Sequence, residues 1–149
     1  MEYFSNLGFA GLFLSSFLAA TILPFSSEIV LGVLLLNGFN PVASVGVATF
    51  GNVLGSFVNY AMGLWGGRFL IRKVASISAD EFAAATRRFR KYGILSLLFA
   101  WVPIIGDPLT VAAGVLKVNF FLFFILVASG KLIRYAVISY AILALGRNM

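Results

Sequence analysis

An apolar segment interrupted by two prolines and a carboxylate, residues 99–108, restricts the fold more than any other part of the chain. A continuous membrane helix is excluded there, because each proline lacks a backbone donor and pushes the preceding residue out of the helical region. The segment predicts a helix that enters the bilayer, breaks at depth at Pro103, Gly106 and Pro108, and turns back. Since protein or a wet cavity must satisfy the freed backbone groups, such a break indicates a functional site.

Composition places the chain in a membrane. Of its 149 residues, 61% are hydrophobic and 11% are charged, and the mean hydropathy is +1.02. This is typical of one small integral membrane domain. The chain has no Cys and no His, which excludes disulfides, thiol nucleophiles, imidazole bases and the usual zinc sites. We expect neither an enzyme nor a bound cofactor or metal.

A basic linker separates two apolar halves. Residues 67–92 contain seven basic and two acidic residues, a local net charge of +5 within a chain of net charge +6. A nucleic-acid binder would spread such charge over a folded surface, so no nucleic acid is expected as a partner. The positive-inside rule places the linker in the cytoplasm. Residues 1–3 precede the first apolar block without a basic region, so we expect no cleaved signal peptide.

The linker also predicts an amphipathic helix. Ser78 and Glu81 fit a capping box. An apolar stripe then recurs at helical spacing, at Phe82, Ala85, Phe89 and Tyr92. Basic residues lie off that stripe, at Arg87, Arg88 and Lys91. We interpret the segment as an interfacial helix that binds the anionic membrane surface. Anchoring is favoured over regulation.

The first half contains a break of its own. Residues 7–23 and 29–36 flank Pro24, and the second of these blocks reaches only about halfway across a hydrocarbon core of about 30 Å. Residues 42–65 are long enough to span. The segment therefore predicts a re-entrant hairpin followed by one transmembrane helix.

The second half repeats this order. After the break come a half-length block, 109–116, and a spanning block, 120–145, and residues 32–39 match residues 114–121. A hairpin returns to its starting side whereas one span crosses, so the two halves form an inverted repeat with both termini outside. We expect an all-α polytopic membrane protein with one domain over 1–149. Its parts are repeat one at about 8–66, the linker at about 67–92 and repeat two at about 93–146.

Polar residues of block 42–65 share one helix face. Asn52, Ser56, Asn59 and Gly63 follow the i, i+4, i+7, i+11 pattern. Either they pack helices closely, with asparagine as interhelical glue, or they line a transport cavity. The first reading is favoured.

Glu28, Asp107, Lys131 and Arg134 are the ionisable residues expected at membrane depth. An unpaired charge at a helix centre costs about 2.5 to 3.5 kcal/mol, so these four should pair and face inward. One reading is structural, with ion pairs that lock the hairpins to the last helix. The other is functional: the cations hold an anionic headgroup while a carboxylate exchanges a proton. Both can hold together, and a third reading has Arg134 snorkelling to the interface.

These segments resemble the DedA membrane proteins, also called the SNARE-associated or VTT domain family, and most closely their short YqaA-like branch. The motifs that carry the resemblance are Leu23-Pro24-Phe25-Ser26-Ser27-Glu28, Gly51-Asn52-Val53-Leu54-Gly55 with Tyr60 and Gly63, and Trp101-Val102-Pro103-Ile104-Ile105-Gly106-Asp107-Pro108 with Ala113-Gly114. The resemblance implies two opposed re-entrant hairpins, a place in the bacterial inner membrane and a link to lipid translocation. The activities that the resemblance implies are flipping of polyprenyl phosphates and scrambling of phospholipids, with proton coupling in some members.

The chain departs from the family pattern at three positions. Members of the larger branch carry an arginine on either side of the second hairpin's proline, where this chain has Ala100 and Gly106. A second acidic position corresponds to Asn40. Activities that depend on those residues are not carried over. Lys131 and Arg134, at i and i+3, would supply the cationic pair from the last helix instead.

Three functions follow as hypotheses. The first is a lipid flippase-like transporter of an anionic lipid, with Glu28, Asp107, Lys131, Arg134, Asn52 and Asn59 at its site. The second is a non-transporting membrane-organising or interaction protein that uses the basic linker. The third, which is least favoured, is an intramembrane hydrolase with Glu28 and Asp107 as a dyad, because no nucleophile or orienting His supports it. A homo-oligomer is compatible with so few spanning helices.

Overall fold

The computed structural model describes residues 2–21, 26–66, 78–102 and 105–148, and the secondary structure within these ranges is helical. The elements in chain order are α1 (Glu2–Thr21), α2 (Ser26–Leu36), α3 (Pro41–Trp65), α4 (Ala79–Tyr92), a 3₁₀ helix (Gly93–Trp101), α5 (Gly106–Val115) and α6 (Phe120–Gly146). Pro24 and Pro103, two of the predicted break residues, lie outside the described residues.

Within the described part of the chain, three helices are long and apolar enough to cross a membrane: α1, α3 and α6. This confirms the all-helical membrane class. The sequence predicts spans only at the segments of α3 and α6 and one arm of a hairpin at residues 7–23, whereas α1 is itself long enough to span. α1 reaches 20 residues because it begins at Glu2, ahead of that apolar block.

One helix ends and the next begins within residues 99–108, but two of the predicted break residues, Gly106 and Pro108, lie inside the second helix. The 3₁₀ helix ends at Trp101 and α5 begins at Gly106. Pro108 lies in the first turn of α5, where an amide hydrogen has no intrahelical acceptor, so its missing donor costs no hydrogen bond. Gly106 is required by close approach, because a Cβ there would lie 2.1 Å from the carbonyl oxygen of Ala100.

Helix α3 is the centre of the packing, with α1, α5 and α6 against it. Asn40 caps its first turn by accepting a hydrogen bond from the Ala43 amide, and Pro41 follows at the first helical position. The α3–α5 crossing depends on two glycines. A Cβ on Gly63 would lie 2.1 Å from a backbone oxygen of α5, and a Cβ on Gly114 would lie 2.0 Å from a backbone oxygen of α3. The two backbones therefore touch.

The two short helices end alike. α2 is followed by a turn with Gly38 at φ 82° and α5 by a turn with Lys117 at φ 52°. An asparagine cap and a long helix come next in each case, at Asn40 and Asn119. These pairs, 38 with 117 and 40 with 119, are both 79 residues apart. The match of 32–39 with 114–121 has an offset of 82, so the structural equivalent of Asn119 is Asn40 rather than Asn37.

Helix α4 has the predicted capping box. The Glu81 amide donates to Ser78 Oγ and the Ser78 amide donates to Glu81 Oε2, both at 3.1 Å. Its apolar stripe, however, packs on protein: Ala85 and Phe89 are buried in a cluster with residues of α5 and the 3₁₀ helix, and Phe82 packs beside them. Most of the stripe is therefore covered by α5 and the 3₁₀ helix, whereas its last member, Tyr92, is 53% exposed. Binding of this helix to the membrane surface stays a prediction.

Candidate functional site

Helix α6 carries two cations one turn apart near its middle, Lys131 and Arg134. Each forms an ion pair with a carboxylate from a different short helix, Lys131 with Asp107 of α5 and Arg134 with Glu28 of α2. The predicted pairing of the four charges is thus what the structure shows. They form two pairs on successive turns of α6, and each pair joins a short helix to the same spanning helix.

Lys131 is enclosed by three helices. Its side chain is 1% exposed, and Nζ lies 3.6 Å from Asp107 Oδ1. Nζ also donates a hydrogen bond to Asn52 Oδ1 of α3. Asn52 Nδ2 in turn donates to the Ser16 carbonyl of α1 at 2.9 Å. One ammonium group therefore ties α6 to α5, to α3 and, through Asn52, to α1.

The Arg134 pair is less enclosed. Arg134 contacts Glu28 through Nη2, and the two side chains are 12% and 18% exposed. Ser27 Oγ lies 3.3 Å from Glu28 Oε2 and shares a 2.8 Å hydrogen bond with the Tyr135 hydroxyl. The α2–α6 contact thus combines an ion pair with a hydroxyl pair.

Both carboxylates lie in the first turn of their helices, Glu28 in α2 and Asp107 in α5. The positive end of a helix dipole stabilises an anion there, and the cation of α6 adds to that effect. A helix dipole and a cation therefore both favour the ionised form of each carboxylate and offset part of the cost of its burial.

Asn59 lies beside the charged site rather than in it. Its Nδ2 donates to the Ala20 carbonyl at 2.8 Å and to Thr110 Oγ1 at 3.2 Å. Thr110 Oγ1 donates to the Asp107 carbonyl at 2.7 Å. Asn59 thus links the end of α1 to α5, which agrees with the interpretation of asparagine as an interhelical contact. Asn52, in contrast, contacts a charged group directly.

Sequence reasoning missed three hydroxyl residues at the site, Ser27, Thr110 and Tyr135. Each is a hydrogen-bonding group in an apolar helical stretch, and each lies next to or near a charged residue in the sequence. Hydroxyl side chains in such stretches commonly bond across helices. That adjacency was the available signal.

The basic residues of α4 form a separate surface. Arg87, Arg88 and Lys91 are exposed and, with Ala84 and Tyr92, line a shallow surface cavity of about 270 Å³. Lys91 Nζ lies 5.3 Å from the ring centre of Tyr92. None of the ion pairs described for the charged site involves this surface.

Spanning helices with charge pairs at the centre of one of them define an integral membrane protein with a polar site inside the membrane. The VTT domain model matches residues 23–143, and the chain belongs to this family, the DedA family. It is similar to the inner membrane protein YqaA of Escherichia coli (strain K12), with 36% identity over 136 residues that cover 91% of each chain. It is also similar to an uncharacterized protein of Haemophilus influenzae, with 35% identity over 132 residues, 83% of this chain and 80% of that one. No solved structure matches the chain.

Proposed function

We propose that this protein is a small membrane transporter of the lipid flippase or scramblase type. It moves an anionic lipid or a polyprenyl-phosphate-like lipid through the charged site between two opposed re-entrant hairpins. The observation that carries the proposal is the pairing of two carboxylates, each at the start of a short helix, with two cations near the middle of one spanning helix. Each of these charges is costly at that depth unless paired, and ionisable residues inside a membrane commonly mark a substrate or ion pathway.

The hairpins in this proposal are formed around the two short helices, α2 and α5. Their shared endings, a left-handed residue followed by an asparagine cap, support a repeat of the two halves. The basic linker supports a cytoplasmic position for α4 and outward termini. The similarity to a protein named as an inner membrane protein supports the inner membrane as its location.

The chemistry follows from competition for the cations. A lipid phosphate that reaches α6 replaces a carboxylate on a cation, and the released carboxylate takes up a proton because a lone anion is costly in the membrane. When the lipid leaves, the carboxylate loses the proton and pairs again. Transport of the anion is thereby coupled to a proton.

The test is lipid transport by variants in proteoliposomes. Glu28→Gln and Asp107→Asn keep side-chain shape but remove the exchangeable charge, so we expect transport of a fluorescent anionic lipid to fall to the rate of protein-free liposomes. Asp80→Asn, which removes an exposed charge on α4, is the matched control and should transport like the parent. Detergent extraction and gel filtration check that each variant is inserted and folded. Parental transport by both site variants contradicts the proposal.

A second candidate function is a non-transporting role in organising the membrane or binding a partner. The exposed basic surface of α4 favours this function. The helix presents that surface in a fixed position, because its other side packs on α5 and a capping box holds its start. In a strain that lacks the protein, this function predicts that the Arg87→Gln/Arg88→Gln/Lys91→Gln variant fails to complement. Glu28→Gln should complement as long as it folds. The transporter proposal predicts the opposite pattern, so complementation separates the two functions.

A further inference from the structure

A groove of about 590 Å³ runs along α6 beside the 3₁₀ helix. Leu98 and Trp101 of the 3₁₀ helix form one wall, and Ile133 and Val137 of α6 form the other. Arg134 of α6 and Glu28 of α2 also line it. The groove is thus an apolar channel with one ion pair in its lining.

The groove opens toward lipid. Ile133 and Val137 are 63% and 61% exposed, and Trp101 is 44% exposed. On a helix long enough to span the membrane, exposed apolar side chains face hydrocarbon, where an open polar surface would be costly. A lipid in the bilayer can therefore enter this groove laterally and reach Arg134.

The two ion pairs differ in access. Lys131 is 1% exposed and has Asp107 and Asn52 as partners. Arg134 lines the groove and contacts Glu28 through Nη2. A guanidinium has five donors in a planar fork that matches phosphate oxygens. Arg134 is therefore the cation that a headgroup reaches first from the groove.

We propose that Arg134, with Glu28 as its resting partner, is the headgroup site for an anionic lipid with a phosphate group, and that the lipid chain lies along Trp101, Ile133 and Val137. The charge of Arg134 fits the phosphate, and the apolar walls fit the chain. The lipid class rests on the proposed function, but the site itself concerns binding, which is measured without transport.

The groove contains its own reporter. The chain has two tryptophans, so Trp65→Phe leaves Trp101 alone in the groove wall. The protein is reconstituted in phosphatidylcholine with increasing fractions of phosphatidylglycerol brominated on its acyl chains, or of brominated phosphatidylcholine as reference. We expect Trp101 quenching to show about tenfold tighter binding of phosphatidylglycerol, the factor for one charge-assisted contact. Trp101→Phe leaves Trp65, which is 81% exposed at the end of α3, and should show only the smaller preference that attraction to the basic linker produces.

Variants assign the preference to Arg134. Glu28→Gln removes the competing carboxylate and should strengthen phosphatidylglycerol binding, although it should not transport. Glu28→Gln/Arg134→Gln leaves no unpaired charge and should lose the preference, whereas Lys117→Gln, which removes an exposed cation, should keep it. Equal quenching by both lipids in the Trp65→Phe protein, or an unchanged preference in the double variant, overturns the site.

Competition identifies the source of the phosphate. A polyprenyl phosphate should relieve the quenching, whereas inorganic phosphate should not, and relief by inorganic phosphate overturns the lipid assignment. A preference at Trp101 without transport would defeat the proposed function and leave this site standing. Transport without the preference would do the reverse.

Discussion

Gly114→Ala is expected to destabilise the protein by about 3 kcal/mol or more, the upper range for an overpacked core. A Cβ on Gly114 would lie 2.0 Å from the Tyr60 carbonyl oxygen and 3.0 Å from the Leu64 amide nitrogen. Both are backbone atoms of α3, so no side chain can rotate away and the helices must separate. Separation also strains the hydrogen bond that the Tyr60 hydroxyl donates to the Val118 carbonyl at 2.6 Å.

The measurement is the free energy of unfolding in mixed micelles with increasing dodecyl sulfate. Gly46→Ala is the matched control, because it is the same substitution in α3 and a Cβ there meets no atom within 4 Å. We expect the control to stay within about 1 kcal/mol of the parent or to gain stability, since alanine favours a helix. If Gly114→Ala and Gly46→Ala have the same free energy of unfolding, the close crossing of α3 and α5 is wrong.

The sequence predicted the local features well because they depend on neighbouring residues. Proline chemistry predicted an interruption within residues 99–108, although α5 begins at Gly106 rather than after Pro108. The spacing of Ser78 and Glu81 located the start of α4. The depth of Lys131 in an apolar block required a partner, and a small set of carboxylates was available. Each of these inferences needs only local geometry or the cost of an unpaired charge.

The sequence did not predict which helix surfaces pack against each other. The stripe of α4 could face lipid or protein by periodicity alone, and only the fold shows Phe89 buried with residues of α5 and the 3₁₀ helix. Gly63 and Gly114 are far apart in the chain, and nothing in either neighbourhood marks them as partners. The groove beside Arg134 likewise requires the 3₁₀ helix and α6 together. Such long-range contacts arise from packing, which periodicity does not determine.

Lys131→Met is expected to cost about 3 kcal/mol, as removal of one partner of a buried ion pair does. Methionine fills a similar volume but leaves Asp107 without its cation and Asn52 Oδ1 without its donor. The figure is at the low end of the usual range because the Asp107 side chain is 28% exposed. Lys117→Met, a control at an exposed position, should have the same free energy of unfolding as the parent.

A double-mutant cycle shows why Lys131→Met loses stability. Lys131→Met/Asp107→Asn removes both charges, so most of the stability should return if the cost of the single variant is the unpaired carboxylate. Unfolding in the same micelles gives the coupling energy, and a double variant no more stable than Lys131→Met would contradict a paired role. The recovered double variant should still lack transport, because Asp107 can no longer exchange a proton. The pair would then be needed for transport as well as for holding α5 against α6.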